Sequence, residues 1–134
     1  MAEIANFVNR NAEQITPAMV ERLIRNVPMW KVEFSQISAP KYPHLIDQLE
    51  FLANVVEDTY EGAYKDIPYF AFAEAVFALM YVHRQLGIIP NLIPQMGHAD
   101  DSSIVRAVLI QHKQHFQLYA AHEGLDWHMI TSRP

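Results

Sequence analysis

Six polar side chains in this chain have the types and spacing to do chemistry: Glu74, His98, Asp100, Asp101, His112 and His115. Glu74 stands inside a strongly apolar segment, with Phe70 one turn before it and Phe77 and Tyr81 after it on the same helical face. A carboxylate there is desolvated, and an unpaired buried charge is costly, so it must be neutralised or paired. In its functional reading it is a general base or a metal ligand. His112, His115, Tyr119 and His122 fall within about 80° of one another on a helix at 100° per residue. An i, i+3 pair such as His112 and His115 could hold a transition metal with Glu74, Asp100 or Asp101. The competing reading makes His112 a core histidine hydrogen-bonded to a carboxylate. Neither Glu74 nor His112 has a suitable partner within its own helical turn, so the two are expected to share one polar site. His98-x-Asp100-Asp101 supplies a cation site or an acid/base pair in one reading. In the other, its carboxylates cap a helix by accepting backbone N–H bonds.

Other chemistries find little support. No His-Glu-x-x-His and no repeated Glu-x-x-His occurs, although bundle metal sites commonly use the latter. Ser102 and Ser103 lack the Gly-x-Ser-x-Gly elbow of a nucleophile. The four glycines are scattered, which leaves no phosphate-cradling loop. With no cysteine there is neither a disulfide framework nor a thiolate site. A net charge of −5 offers no basic stripe and argues against a general nucleic-acid binder.

The elements that must position these residues are helical. The length of 134 residues fits one domain with a real core. The N-terminus lacks the basic start and long apolar run of a signal peptide. The most apolar run, Ile67–Val82, spans about 16 residues around Glu74, short of the roughly 20 needed to cross a bilayer. A cytoplasmic location is the expectation.

Thr16-Pro17 reads as a cap and a first-turn proline. Val20, Leu23, Ile24 and Val27 then keep helical spacing as far as Pro28. The stretch Pro28–Pro40 alternates apolar residues and fits a short strand or an extended loop. Pro43 opens a long helix whose stripe is Leu45, Leu49, Leu52, Val56 and Tyr60, ending at Gly62. Its opposite face, with Glu57, Asp58 and Glu61, is expected to be solvated. Asp66 is expected to cap a central helix of about Ile67–Leu86, apolar nearly all round, with Gly87 as its stop. The run Tyr60, Tyr64, Tyr69, Phe70, Phe72 is expected to pack between helices, with a ligand pocket as the minority reading. Asp100 or Asp101 should cap the last helix, running to about Glu123 with Gly124 as its stop. Trp127 anchors the tail.

The joint Tyr81–Asp101 links the two most apolar segments. It resembles that of the bacterial YkvA-like family, small helical proteins and domains without an assigned activity. Ala78-Leu79-Met80-Tyr81 matches the family's helix end. Ile88-Ile89-Pro90-Asn91-Leu92-Ile93-Pro94 matches its double-proline element, and Gly97-His98-Ala99-Asp100-Asp101 matches its link into the next helix. The likeness covers residues 68–110, roughly. Two acidic positions of the family pattern are Gly87 and Asn91 here, so a role of those carboxylates does not carry over. The resemblance implies a fold element.

The expectation is an all-α, single-domain bundle of four or five helices with a proline-rich joint before the last long helix. Residues 1–42 form N-terminal helices and an extended segment, 43–123 the core helices and joint, and 124–134 a tail. The joint, with its φ angles set by Pro90 and Pro94, is expected to be rigid. The leading functional reading is a non-enzymatic partner-binding or regulatory module. The alternative is a metal-binding protein or metal-dependent enzyme using Glu74, His112, His115 and Asp100. A protein partner or a second copy of the chain fits the first reading, and peripheral membrane contact stays open. No cofactor is specified by any motif.

Overall fold

A computed structural model describes residues 2–88, 94–130 and 133–134. The described residues are helical, with no strand: α1 (Ala2–Ala12), α2 (Pro17–Leu23), α3 (Val27–Ser35), α4 (Leu45–Glu61), α5 (Tyr69–Ile88), α6 (Pro94–Gln111), α7 (Lys113–His122) and α8 (Trp127–Ile130). The all-α expectation holds, but the segments are shorter and more numerous than a bundle of four or five. None of the described helices is long and apolar enough to cross a membrane.

Local signals set several boundaries. Thr16 Oγ1 accepts the Met19 N–H at 3.2 Å and Pro17 occupies the first turn of α2. Gly62 ends α4 at φ 78°, and Ala63 N–H returns to the Asp58 carbonyl at 2.9 Å. Gly124, at φ 71°, does the same after α7, where Leu125 N–H reaches the Ala120 carbonyl at 2.8 Å.

Other boundaries differ from expectation. The chain after α2 makes one 3₁₀ turn, Ile24–Asn26, and re-enters an α-helix at Val27, so Pro28 falls in the first turn of α3 instead of stopping a helix. Residues expected to be a strand or loop are therefore helical through Ser35. Val27, Trp30 and Phe34, at i, i+3 and i+7, are its buried side, and this spacing overrides the apparent alternation. Asp66 does not cap α5. Ile67 precedes Pro68 and is biased away from helical geometry, so the helix begins at Tyr69, with Phe72 N–H bonding the Pro68 carbonyl at 3.0 Å. Gly87 lies within α5 and is no stop, because a glycine inside a helix costs only about 1 kcal/mol. The centre of the double-proline joint, 89–93, lies outside the described residues, and with it the expectation of rigidity.

α5 is central as expected: it packs against α1, α3, α4 and α6. Its inner surface is small and apolar, with Ala71, Ala75, Val76, Ala78, Leu79 and Val82 buried. The N-terminal helices add Val8, Ala12, Trp30 and Phe34 to the same core, so they belong to one packed unit with α4 to α6. The tail is tied down by Gln48, whose Nε2 donates to the Arg133 carbonyl at 2.7 Å.

Candidate functional site: two histidine–carboxylate pairs

Glu74 sits on the buried side of α5, 3 % exposed. Opposite it the chain breaks: α6 ends at Gln111, α7 starts at Lys113, and His112 between them takes φ −118° and ψ 29°. The expected single last helix is therefore two. The break is local, since His112 N–H still reaches the Val108 carbonyl at 3.2 Å and its own carbonyl accepts from Phe116 N–H at 3.1 Å. His112 Nε2 stands 3.1 Å from Glu74 Oε1. The two residues do meet. Their approach is close enough for an ion pair but is not aligned as a hydrogen bond. Neither facing atom has a hydrogen-bond partner among the described residues. Phe116 lies edge-on to the imidazole, with centroids 6.1 Å apart.

The second pair lies within α6. His98 Nδ1 is 3.2 Å from Asp101 Oδ2, and both residues are buried. The expected helix cap is corrected here: α6 begins at Pro94, so Asp100 and Asp101 lie about two turns inside it. With backbone donors already used by the helix, Asp101 has no cap to make, and its Oδ1 is left without a hydrogen-bond partner. Burial, and secondarily the Asp100 charge, push its carboxyl up to about 7. Burial also holds His98 below its usual value. Near neutral pH the Asp101 carboxyl is therefore only partly ionised, and it lies beside an imidazole that burial keeps neutral. Ser102 is buried next to them and its Oγ accepts from Arg106 Nε at 3.1 Å.

The six candidates therefore divide. Glu74 joins His112 across α5 and the α6–α7 break, and His98 joins Asp101 inside α6. His115 enters neither pair, and Asp100 is exposed at the surface of α6. Each pair can hold or pass a proton. A metal site commonly takes three or more protein ligands, and no three such side chains converge among the described residues.

Three arrangements were not anticipated from sequence. Tyr119 O–H donates to Asp58 Oδ2 at 2.5 Å from a fully buried position, and burial, then this bond, raise its phenol far above the ordinary range. Asp58 thus departs from the solvated face expected of it on α4. The signal was present: Phe51, Val55 and Asp58, at i, i+4 and i+7, form a second row, and Phe51 packs edge-on against Phe116, Tyr119 and Trp127. Glu57 likewise pairs with Lys31, at 2.9 Å. Finally, His83 stacks on Trp30 at 4.6 Å and bonds Glu33 Oε2 through Nδ1 at 2.8 Å.

The aromatic run is only partly core. Tyr64 and Phe72 are buried, but Tyr60, Tyr69 and Phe70 are exposed, Phe70 at 68 %. α5 is thus less uniformly covered than its composition implies. Tyr60, Tyr69 and Phe72 line an open apolar groove of about 270 Å³ with Val20, Ile67 and Thr59. Tyr69 is held there by its O–H, which donates to the Ile15 carbonyl at 3.0 Å.

No family model, no curated protein and no solved structure matches the chain.

Proposed function

We propose that this chain is a non-enzymatic helical module that works by binding a protein partner. The observation that supports this is the groove beside α2, lined by Val20, Ile67 and Phe72 and flanked by the exposed rings of Tyr60 and Tyr69. Concave apolar surface of this kind, with aromatic side chains held at its edge, is where a partner's apolar side chain gains most from leaving water. The likeness of residues 68–110 to the YkvA-like family is part of the same proposal, and it brings a fold element without an activity.

The test is affinity capture followed by measurement with the identified, purified partner. Tyr60→Ser with Tyr69→Ser, both at exposed rings, should weaken that binding by tenfold or more while the circular dichroism spectrum stays helical. Unchanged binding in this variant would overturn the assignment of the groove.

A second reading keeps the Glu74–His112 pair as a metal or proton site. It is favoured by the two facing atoms, which are close yet make no hydrogen bond. Metal analysis of protein purified without a histidine tag decides it. One stoichiometric transition metal, lost in Glu74→Gln and in His112→Gln, would support this reading over the first.

A further inference from the structure

A second hollow, of about 260 Å³, opens between α1, α5 and α6, and its described lining shares no residue with the groove or with the Glu74–His112 pair. Its floor is Ile104 and its walls include Phe7 and Tyr81. Phe7 is braced edge-on against Phe77, with centroids 5.8 Å apart, and against Tyr81, at 6.3 Å. The ring is therefore positioned although it is 41 % exposed. The exposed side chains Glu3 from α1 and Asp100 from α6 form its rim, and Ser103 also lines it. Among the described residues, no basic side chain lines the hollow. Neither carboxylate has an ion-pair or hydrogen-bond partner among the described residues.

Two unbalanced negative charges above an aromatic cup select one ligand chemistry. Aromatic faces attract cations, and the attraction grows as water is excluded. A bare hard cation wants six or more oxygen ligands and gains nothing from apolar walls. An acidic ligand would be repelled. A cation carrying its own apolar body satisfies rim and walls together. We propose that this cup binds a small organic ammonium ion, with its charge held by Glu3 and Asp100 and its apolar body against Phe7, Tyr81 and Ile104.

The probes are benzylamine, protonated at neutral pH, and benzyl alcohol, nearly the same in shape and uncharged. Each is titrated into the ¹⁵N-labelled full chain at constant low ionic strength, and amide shifts are followed. Benzylamine should give saturable shifts centred on Phe7, Tyr81 and Ser103, with benzyl alcohol about tenfold weaker or more. The double variant Glu3→Gln, Asp100→Asn should bind benzylamine about fivefold or more weakly, as expected for losing two exposed charge contacts. It should leave benzyl alcohol unchanged. Both positions are exposed, so the variant should keep the parent's helical spectrum. Equal binding of the two probes, unchanged benzylamine affinity in the double variant, or no saturable shift up to about 50 mM would each overturn the proposal.

Discussion

His112 Nε2 lies 3.1 Å from Glu74 Oε1, across the packing of α5 on the α6–α7 break, and the two atoms do not form an aligned hydrogen bond. Glu74→Gln and His112→Gln should each lower unfolding free energy by about 1–3 kcal/mol, since each strands a buried polar partner. The double variant should lose less than the sum, by roughly 0.5 kcal/mol or more. Urea denaturation of the four proteins checks this. Strict additivity would show that the contact carries no energy.

The His98–Asp101 pair should make stability depend on pH in two opposing ways. Asp101 is raised from 3.8 to about 7 on folding. The native state therefore holds a proton that the unfolded state releases. This contribution is fully present below about pH 4 and is lost as pH rises through about 7. His98 is shifted down, so its contribution is present above the unfolded histidine range and is lost as pH falls. Asp101→Asn removes the first effect alone. Relative to the parent, it should gain stability between pH 5 and pH 8 by on the order of 2 kcal/mol. Paired urea midpoints at the two pH values measure it. A variant-to-parent difference that does not change with pH would refute the buried, protonated acid.

Tyr119→Phe should destabilise the chain by about 1.5–3 kcal/mol, the range for hydrogen bonds to charged groups. It deletes the 2.5 Å bond to Asp58 while the ring contacts with Phe51 and Tyr64 remain. The parent should also show no phenolate absorbance from Tyr119 until it unfolds at alkaline pH, because burial and then Asp58 disfavour the ionised form. Difference absorbance at the phenolate band, parent against variant, reads this directly.

Gly62→Ala should cost about 1–2 kcal/mol, the penalty of a Cβ in left-handed geometry at φ 78°. Nothing lies within 4 Å of the added Cβ, so the cost is backbone strain alone. Gly62→Asn should recover part of it, since asparagine tolerates this region. Thermal denaturation of the pair is sufficient. Equal losses in both variants would point to a cause other than backbone conformation.

Local chemistry was legible where a few adjacent residues decide the outcome. Thr16-Pro17 starts a helix, and Gly62 and Gly124 end theirs, because the capping bonds are made within one turn of chain. The composition of the Ile67–Val82 run required a central helix, and the isolation of Glu74 and His112 on apolar faces required that they find each other. Those inferences need only the cost of burying unpaired polar groups and the 3.6-residue period.

Only the tertiary structure decided which faces are covered. Phe70 looks like core by its neighbours, yet its ring is largely uncovered, because the described elements around α5 leave that side of its first turn open. Asp58 looks solvated by the leucine stripe of α4, yet α7 lies over the second row that begins at Phe51 and brings Tyr119 to it. Asp101 looks like a cap by its place after the prolines, but α6 starts earlier and carries it into the interior beside His98. Four of the six candidate residues became two separate pairs, without His115 and Asp100, for the same reason. Periodicity reports which side of a helix avoids water, while the partner that side meets is set by the docking of elements distant in sequence.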